Sequence, residues 1–407
     1  MSLTEVDLPE NALAALRSGF AVADSDQHFY EPQDAITRHL EKEFAKEVQW
    51  AVIDGRLTLI LGGQIYGMVP FPTYDPVAKP GALEEYFRGH NPTSRTLREM
   101  VGELEPCPQW YRNRANRLPV LLEQGVDFAW VMPTMAIGLE QYLQKNPASV
   151  HATFRSLNRW IEDEWGYATD DHLHVPAALT LMDPAMGEAE LDRVLALGAR
   201  SIIMRPAPVP DPAGWRSLGD PRHDRFWSKV AEAGVTVMFH AADSGYQRHA
   251  ADWGEHSSFH RGYRQSALTE VMGLNQERPA FDTATALICH GVFDRVPGLK
   301  VAFLEVGSDW VPYLANRLQH AYGKMPSNFG SDPVDKLRNN VWVMPFYEDS
   351  LPALVDAIGI DQVLYGSDWP HPEGLATPFD GFKDMVEFSE ADQRKIMGDN
   401  LRKLVFG

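Results

Sequence analysis

The sequence predicts an α/β protein folded as a (β/α)8 TIM barrel, on three observations. Eight short apolar runs recur along the 407 residues, and each is continuous rather than alternating, as expected of strands buried on both faces of a parallel sheet. Segments with helical spacing lie between them. No glycine-rich phosphate loop follows the first run, as a doubly wound open sheet of the nucleotide-binding kind would require. Eight strand-helix units in one chain therefore favour a barrel over an open sheet.

In order, the runs are Ala21-Val22-Ala23, FAWVMPT (128–134), HVPAALTLMDP (174–184), RSIIMRPA (200–207), VTVMFHAAD (235–243), KVAFLEVGS (300–308), VWVMPFYED (341–349) and VLYGSDWPH (363–371). Helical spacing appears in EAELDRVLALGA (188–199), DRFWSKVAEAG (224–234) and SDWVPYLANRLQHAYG (308–323). Glycines at 125, 198 and 234 stand just ahead of strands, where a left-handed helix cap is expected. Two stretches break the alternation. Residues 48–68 read as a small β-meander, because Asp54-Gly55 and Gly62-Gly63 place turn signals between β-rich runs. Residues 241–281 form a long loop or helical insertion after the fifth strand, rich in aromatics and imidazoles: Tyr246, His249, Trp253, His256, Phe259, His260 and Tyr263. We expect a single domain over residues 1–407, with insertions at about 48–110 and 241–281 flanking the active-site face.

Composition limits the function classes. The chain is 44% hydrophobic and 23% charged, enough to bury a sizeable core. A formal charge of -19 disfavours a nucleic-acid partner. MSLTEVDLPE has no signal-peptide pattern and no apolar run is long enough to span a membrane, so a cytoplasmic location is expected. Cys107 and Cys289 stand alone, and any metal would have to be held by histidines and carboxylates.

Barrel chemistry is expected where strands end, so the polar residues that close the apolar runs are the candidates. The first run ends in Asp24-Ser25-Asp26-Gln27-His28, the fourth in Arg205, the fifth in His240, the sixth in Glu305, and the eighth in Asp368 with His371 just beyond. Alternation along a strand puts Asp26 and His28 on one side. Together with His240 and Asp368 they make a nitrogen and oxygen set suited to one divalent ion, with Zn²⁺ expected first and Mn²⁺ or Fe²⁺ as alternatives. Taken singly, each has a bland reading: a hydrogen-bonded core histidine for His240, a turn cap for Asp368. Arg205 fits either a substrate carboxylate or an ion pair with a barrel carboxylate. Tyr30, Tyr246 and His371 are candidates for lining the substrate pocket, while His290, in the helix-like ATALICHGVFDRV, reads as structural.

These stretches, with ICHGVFDRVPGLKVAFLEVGSDWVPYLANRL and the tail RKIMGDNLRKLVFG, resemble the amidohydrolase superfamily. The resemblance is to its second family, the aminocarboxymuconate-semialdehyde decarboxylase-like and amidohydrolase-related metal-dependent hydrolases, and runs from residue 23 to the end. It implies that the H-x-H of the first strand falls on Asp26 and His28, with Asp where most members have His. The fifth-strand ligand falls on His240 and the eighth-strand ligand on Asp368. The lysine that bridges two metals in binuclear members is not evident, and Arg205 lies near its place, which implies one metal. On the sixth strand, where the decarboxylases carry histidine, this chain has Leu304-Glu305-Val306-Gly307. Glu305 could serve as a base, a replacement ligand or an orienting partner. The resemblance makes Asp368 the first choice for general base and Glu305 the second. The expectation is a metal-dependent hydrolase acting through activated water on a small carboxylate-bearing or aromatic substrate. The alternative is a non-oxidative decarboxylase of an aromatic or unsaturated acid. By analogy the chain is expected to form a homodimer or higher oligomer.

Overall fold

The computed structural model describes residues 10–69, 71–255 and 266–407. Of the aromatic and imidazole residues expected to close over a ligand, His256, Phe259, His260 and Tyr263 lie outside the described residues.

The strands in chain order are β1 (Val22–Phe29), β2 (Val48–Ile53), β3 (Arg56–Leu61), β4 (Gln64–Ile65), β5 (Val126–Pro133), β6 (Leu173–His174), β7 (Ala177–Ala178), β8 (Ser201–Met204), β9 (Val209–Asp211), β10 (Gly214–Arg216), β11 (Thr236–His240), β12 (Lys300–Leu304) and β13 (Val341–Val343). The apolar runs become two parallel sheets, β1-β5-β6 and β7-β8-β11-β12-β13. Proline 176 lies between β6 and β7, so the third apolar run is split where its backbone has no N–H to donate.

The eighth run forms no ladder of its own. Instead Val363 bridges Val343 and Trp369 bridges Gln27, both in parallel. Leu364 N–H donates to Val343 O (2.9 Å) and Ser25 N–H to Tyr365 O (2.8 Å). Residues 363–369 thus lie between β13 and β1. The strands are connected by helices, among them Pro184–Ala196, Asp224–Glu232 and Trp310–Lys324, close to the segments predicted from spacing. Gly125, Gly198 and Gly234 all adopt positive φ just ahead of strands, as the caps require.

The meander is present as antiparallel β2-β3-β4, and both of its turn pairs, Asp54-Gly55 and Gly62-Gly63, have positive φ throughout. A second hairpin, β9-β10, was not anticipated. After β11 the insertion contains short helices at Gln247–Asp252 and Ala267–Val271. Buried aromatics hold the strands together, for example Phe239 of β11 stacked on Phe303 of β12 at 5.3 Å. Full burial of one such ring stabilises by roughly 1.5–3 kcal/mol. Among the described residues no helix is long and apolar enough to cross a membrane.

Candidate metal centre and active-site cavity

β1 brings the first donors into place through an irregularity. Its register against β5 slips between Asp24 and Gln27, so one extra residue is accommodated there. A bulge of this kind re-aims side chains. Asp24 is turned sideways, where it accepts from Ser367 Oγ (2.6 Å), Gln27 Nε2 (2.9 Å), Ser367 N (3.0 Å) and Asp26 N (3.1 Å). It fastens β1 to residues 363–369, and burial pushes its pKa up to about 6. Asp26 and His28 point instead into the centre.

There they meet three other chain segments. His28 Nε2 lies 3.0 Å from Asp26 Oδ1, 3.5 Å from Asp368 Oδ1 and 3.7 Å from Glu305 Oε2. His240 Nε2 lies 3.2 Å from Glu305 Oε2 and 3.5 Å from Asp26 Oδ1. Two overlapping sets of four donors result: Asp26, His28, His240 and Glu305; and His28, Glu305, Asp368 and His371. Glu305 and Asp368, at the ends of their runs, both have φ just above +50°. For a non-glycine residue that conformation costs of order 1 kcal/mol or more, and such strain clusters at functional sites.

The donor set fits a divalent cation. Apart from their contacts with one another, both Asp26 oxygens, His28 Nε2, His240 Nε2, Asp368 Oδ1 and His371 Nδ1 are buried without a hydrogen-bond partner. Buried polar atoms are ordinarily satisfied. Atoms that ligate one ion at about 2.1 Å in tetrahedral or octahedral geometry lie roughly 3.0–3.4 Å from one another, close to the separations found here. The His240 tautomer agrees: its Nδ1 lies 3.0 Å from Ala241 O, so it carries the proton and leaves Nε2 as a lone pair facing the cluster. Electrostatics point the same way. Burial first, then Asp26, Glu373 and Asp24, hold Asp368 well above the carboxylate range, and burial followed by Asp368 does the same to Glu305. Burial also raises Asp26, but the two histidines outweigh it and the net shift is downward. Burial depresses His28 to about 3. His240 moves up, because Asp26 and Glu305 overcome its burial. Three carboxylates crowded against two or three imidazoles call for added positive charge.

The cluster forms the floor of a cavity of about 1550 Å³, larger than a typical small-ligand pocket. Its walls include Tyr30, Met68, Phe71, Tyr74, Phe346 and Tyr347, several of them supplied by the first insertion. Tyr74, Tyr30, His371 and His28 form a column of near-parallel rings, with successive centroids 4.6, 5.8 and 4.1 Å apart. His371 Nδ1 is 2.7 Å from Asp368 Oδ1, while its Nε2 is 3.1 Å from Thr134 Oγ1. Thr134 already donates to Phe29 O, so His371 Nε2 is the donor in that pair.

Of the four expected donors, Asp26, His28 and His240 fall in one set with Glu305, and Asp368 falls in the other with His28, Glu305 and His371. Tyr30 and His371 line the cavity. Arg205 does not: it is buried, pairs with Glu140 at 3.1 Å, and donates to Gln141 Oε1 (2.6 Å) and Asp243 O (3.2 Å). Of its two expected roles, the ion pair is the one its geometry provides. Tyr246 is likewise turned away from the lining and donates to Asp282 Oδ2 at 2.7 Å. His290 caps a helix end, its Nδ1 2.9 Å from Ser217 Oγ.

Sequence reasoning passed over two residues. Thr134 closes the second apolar run, and the run-end criterion would have found it. Arg117 is fully buried, donates to Gln27 Oε1 and His28 O at 3.0 Å each, and lies 4.2 Å over the Trp369 ring. Its spacing of four from Leu121 puts it on the inward face of its helix, a signal masked by the surrounding RNRANR.

The Amidohydrolase family model matches residues 24–406. The chain is 30% identical over 120 residues to the 2-amino-3-carboxymuconate-6-semialdehyde decarboxylase of Dictyostelium discoideum, covering 28% of this chain and 33% of that protein. It is 27% identical over 245 residues to the gamma-resorcylate decarboxylase of Rhizobium radiobacter, covering 56% of this chain and 68% of that one. Among solved structures, an amidohydrolase from Mycobacterium avium subsp. paratuberculosis K-10 is 40% identical with a TM-score of 0.89, over 95% of this chain and 97% of that one.

Proposed function

The chain belongs to the amidohydrolase family, and from that membership we propose that it is a metal-dependent, non-oxidative decarboxylase of an aromatic or otherwise unsaturated carboxylic acid. The observation that carries this reading is that the two curated relatives above are both decarboxylases. It displaces hydrolysis, the first expectation from sequence, as the preferred reaction. We read the two parallel sheets, joined through residues 363–369, as one (β/α)8 barrel with the cavity at the C-terminal ends of its strands.

Asp26, His28, His240 and Asp368 would hold the ion. When bound, a divalent cation supplies Lewis-acid polarisation of substrate oxygens and a charge partner for a carboxylate. That partner is needed because Arg205, the arginine at the end of a barrel run, is committed to Glu140. The aromatic walls favour a flat, unsaturated ring and exclude water from it. Asp368 is the group placed to pass a proton to the ring carbon as the carboxyl group leaves, and His371, held by Thr134, fixes its position. Tyr30 orients His371 by stacking on it.

Hydrolysis remains the second reading, favoured by one observation: Glu305 stands where the resemblance places a decarboxylase histidine. Incubation with a panel of hydroxylated benzoic acids in deuterated water separates the two. Release of one CO₂ per substrate, with one deuterium in the product and no water added, is expected. Cleavage of esters, lactones or amides without CO₂ release would overturn the proposal in favour of hydrolysis.

A further inference from the structure

We propose that Glu305 is itself a ligand of the metal ion, making the site oxygen-rich and tuned to a harder, higher-coordinate ion such as Mn²⁺ over four-coordinate Zn²⁺. The inference rests on the metal-dependent reading above and goes beyond it in assigning the sixth-run residue and the ion preference.

The argument starts from the two overlapping donor sets. Asp26, His28, His240 and Glu305 form one, and His28, Glu305, Asp368 and His371 the other. In both, His28 would bind through Nε2, the ring nitrogen that faces Asp26, Glu305 and Asp368. A nitrogen has a single lone pair, so the two overlapping sets surround one ion and are not two separate sites. Glu305 belongs to both. Wherever the ion settles, the Glu305 carboxylate is among its nearest donors.

Glu305 Oε2 lies 3.2 Å from His240 Nε2 and 3.7 Å from His28 Nε2, spacings suited to two ligands on one centre. Glu305 directly follows β12, and its φ of 52° is a backbone conformation a non-glycine residue adopts at a cost. That turn carries its carboxylate into the cluster, where the side chain is only 13% exposed. An orienting partner would need a hydrogen-bonded neighbour to orient, and His240 already has Ala241 O for that purpose.

With Glu305 counted, the available donors are two imidazoles and three carboxylates. Tetrahedral zinc uses three or four protein ligands, whereas oxygen-rich sets of five with room for substrate suit Mn²⁺. The carboxylate in place of a histidine then sets the ion preference, and it ceases to be a reason to expect water activation.

The test uses the full-length protein, stripped by chelator and retitrated separately with Mn²⁺ and Zn²⁺ against a competing indicator. Elemental analysis supplies the stoichiometry. Wild type is expected to bind one ion per chain. Glu305→Gln, which keeps the volume and removes the charge, is expected to weaken Mn²⁺ binding at least about tenfold and to change the Mn²⁺ paramagnetic resonance spectrum. Glu305→His is expected to shift the ratio of affinities toward Zn²⁺ by at least about tenfold. Unchanged Mn²⁺ affinity and spectrum in folded Glu305→Gln would overturn the assignment while leaving the metal reading intact. A wild type that binds no ion would instead remove the metal reading itself. Should Glu305→Gln fail to fold, a crystal structure of the Mn²⁺-loaded wild type decides. Glu305 in the coordination sphere supports the proposal, and Glu305 outside it refutes it.

Discussion

Replacing Glu31 by glutamine should remove the pH dependence of one part of the protein's stability. Glu31 is fully buried and accepts from the backbone N–H groups of Met135 (2.9 Å), Ala136 (3.1 Å) and Thr134 (3.3 Å), tying β1 to the loop that carries Thr134. Burial outweighs these bonds and raises its pKa from 4.5 to about 7. Such a rise corresponds to about 3 kcal/mol. The folded carboxyl holds its proton more tightly than the unfolded one. Its stabilising contribution is therefore complete below about pH 4.5 and lost as pH rises through about 7. Glutamine cannot ionise. Its oxygen can keep the Met135 and Ala136 bonds, both made to Oε1, while its NH₂ faces Thr134 N–H at a cost of about 1 kcal/mol. Urea unfolding at pH 5 and pH 8 should show the two proteins about equally stable at the lower pH, where the loss has already begun, and the variant about 2 kcal/mol more stable at the higher. Parallel curves for the two proteins would refute the account of Glu31.

Three further outcomes follow from the same geometry. Asp24→Ala strands the Ser367 and Gln27 donors and should cost about 3–5 kcal/mol, read as a fall in melting temperature at pH 7. Arg117→Met keeps the apolar stem but loses the bonds to Gln27 and His28 and the contact with Trp369; a drop of about 2–4 kcal/mol with an unchanged denaturant slope is expected. Gly366→Ala would set a methyl group against Met344 and 2.7 Å from the Asp26 Cβ, so titration should show at least tenfold weaker metal binding in a folded protein.

The parts of this molecule that were legible in sequence are those governed by local pattern. Continuous apolar runs gave the parallel strands, glycines before strands gave the helix caps, and paired turn residues gave the meander. Polar residues at run ends gave Asp26, His28, His240, Glu305 and Asp368. What sequence could not show depends on pairs far apart in the chain. Whether Arg205 faced substrate was decided by Glu140, 65 positions upstream, and the orientation of Tyr246 by Asp282. The eighth run looked like a strand as regular as the others, yet it forms no ladder; bridges at Val363 and Trp369 and single backbone bonds hold it, and Asp24 and Arg117 add to its fastening. The role of Glu305 was left open among three for the same reason: its position relative to His28 and His240 is set by strand geometry, which spacing does not encode.

The central claim is that these donors hold one divalent ion. Elemental analysis of protein purified without chelator tests it most directly, alongside Asp26→Asn and His240→Ala variants shown to be folded. One ion per chain in the wild type, lost from both variants, is the predicted result. A wild type without bound ion, or full occupancy in both variants, would contradict it.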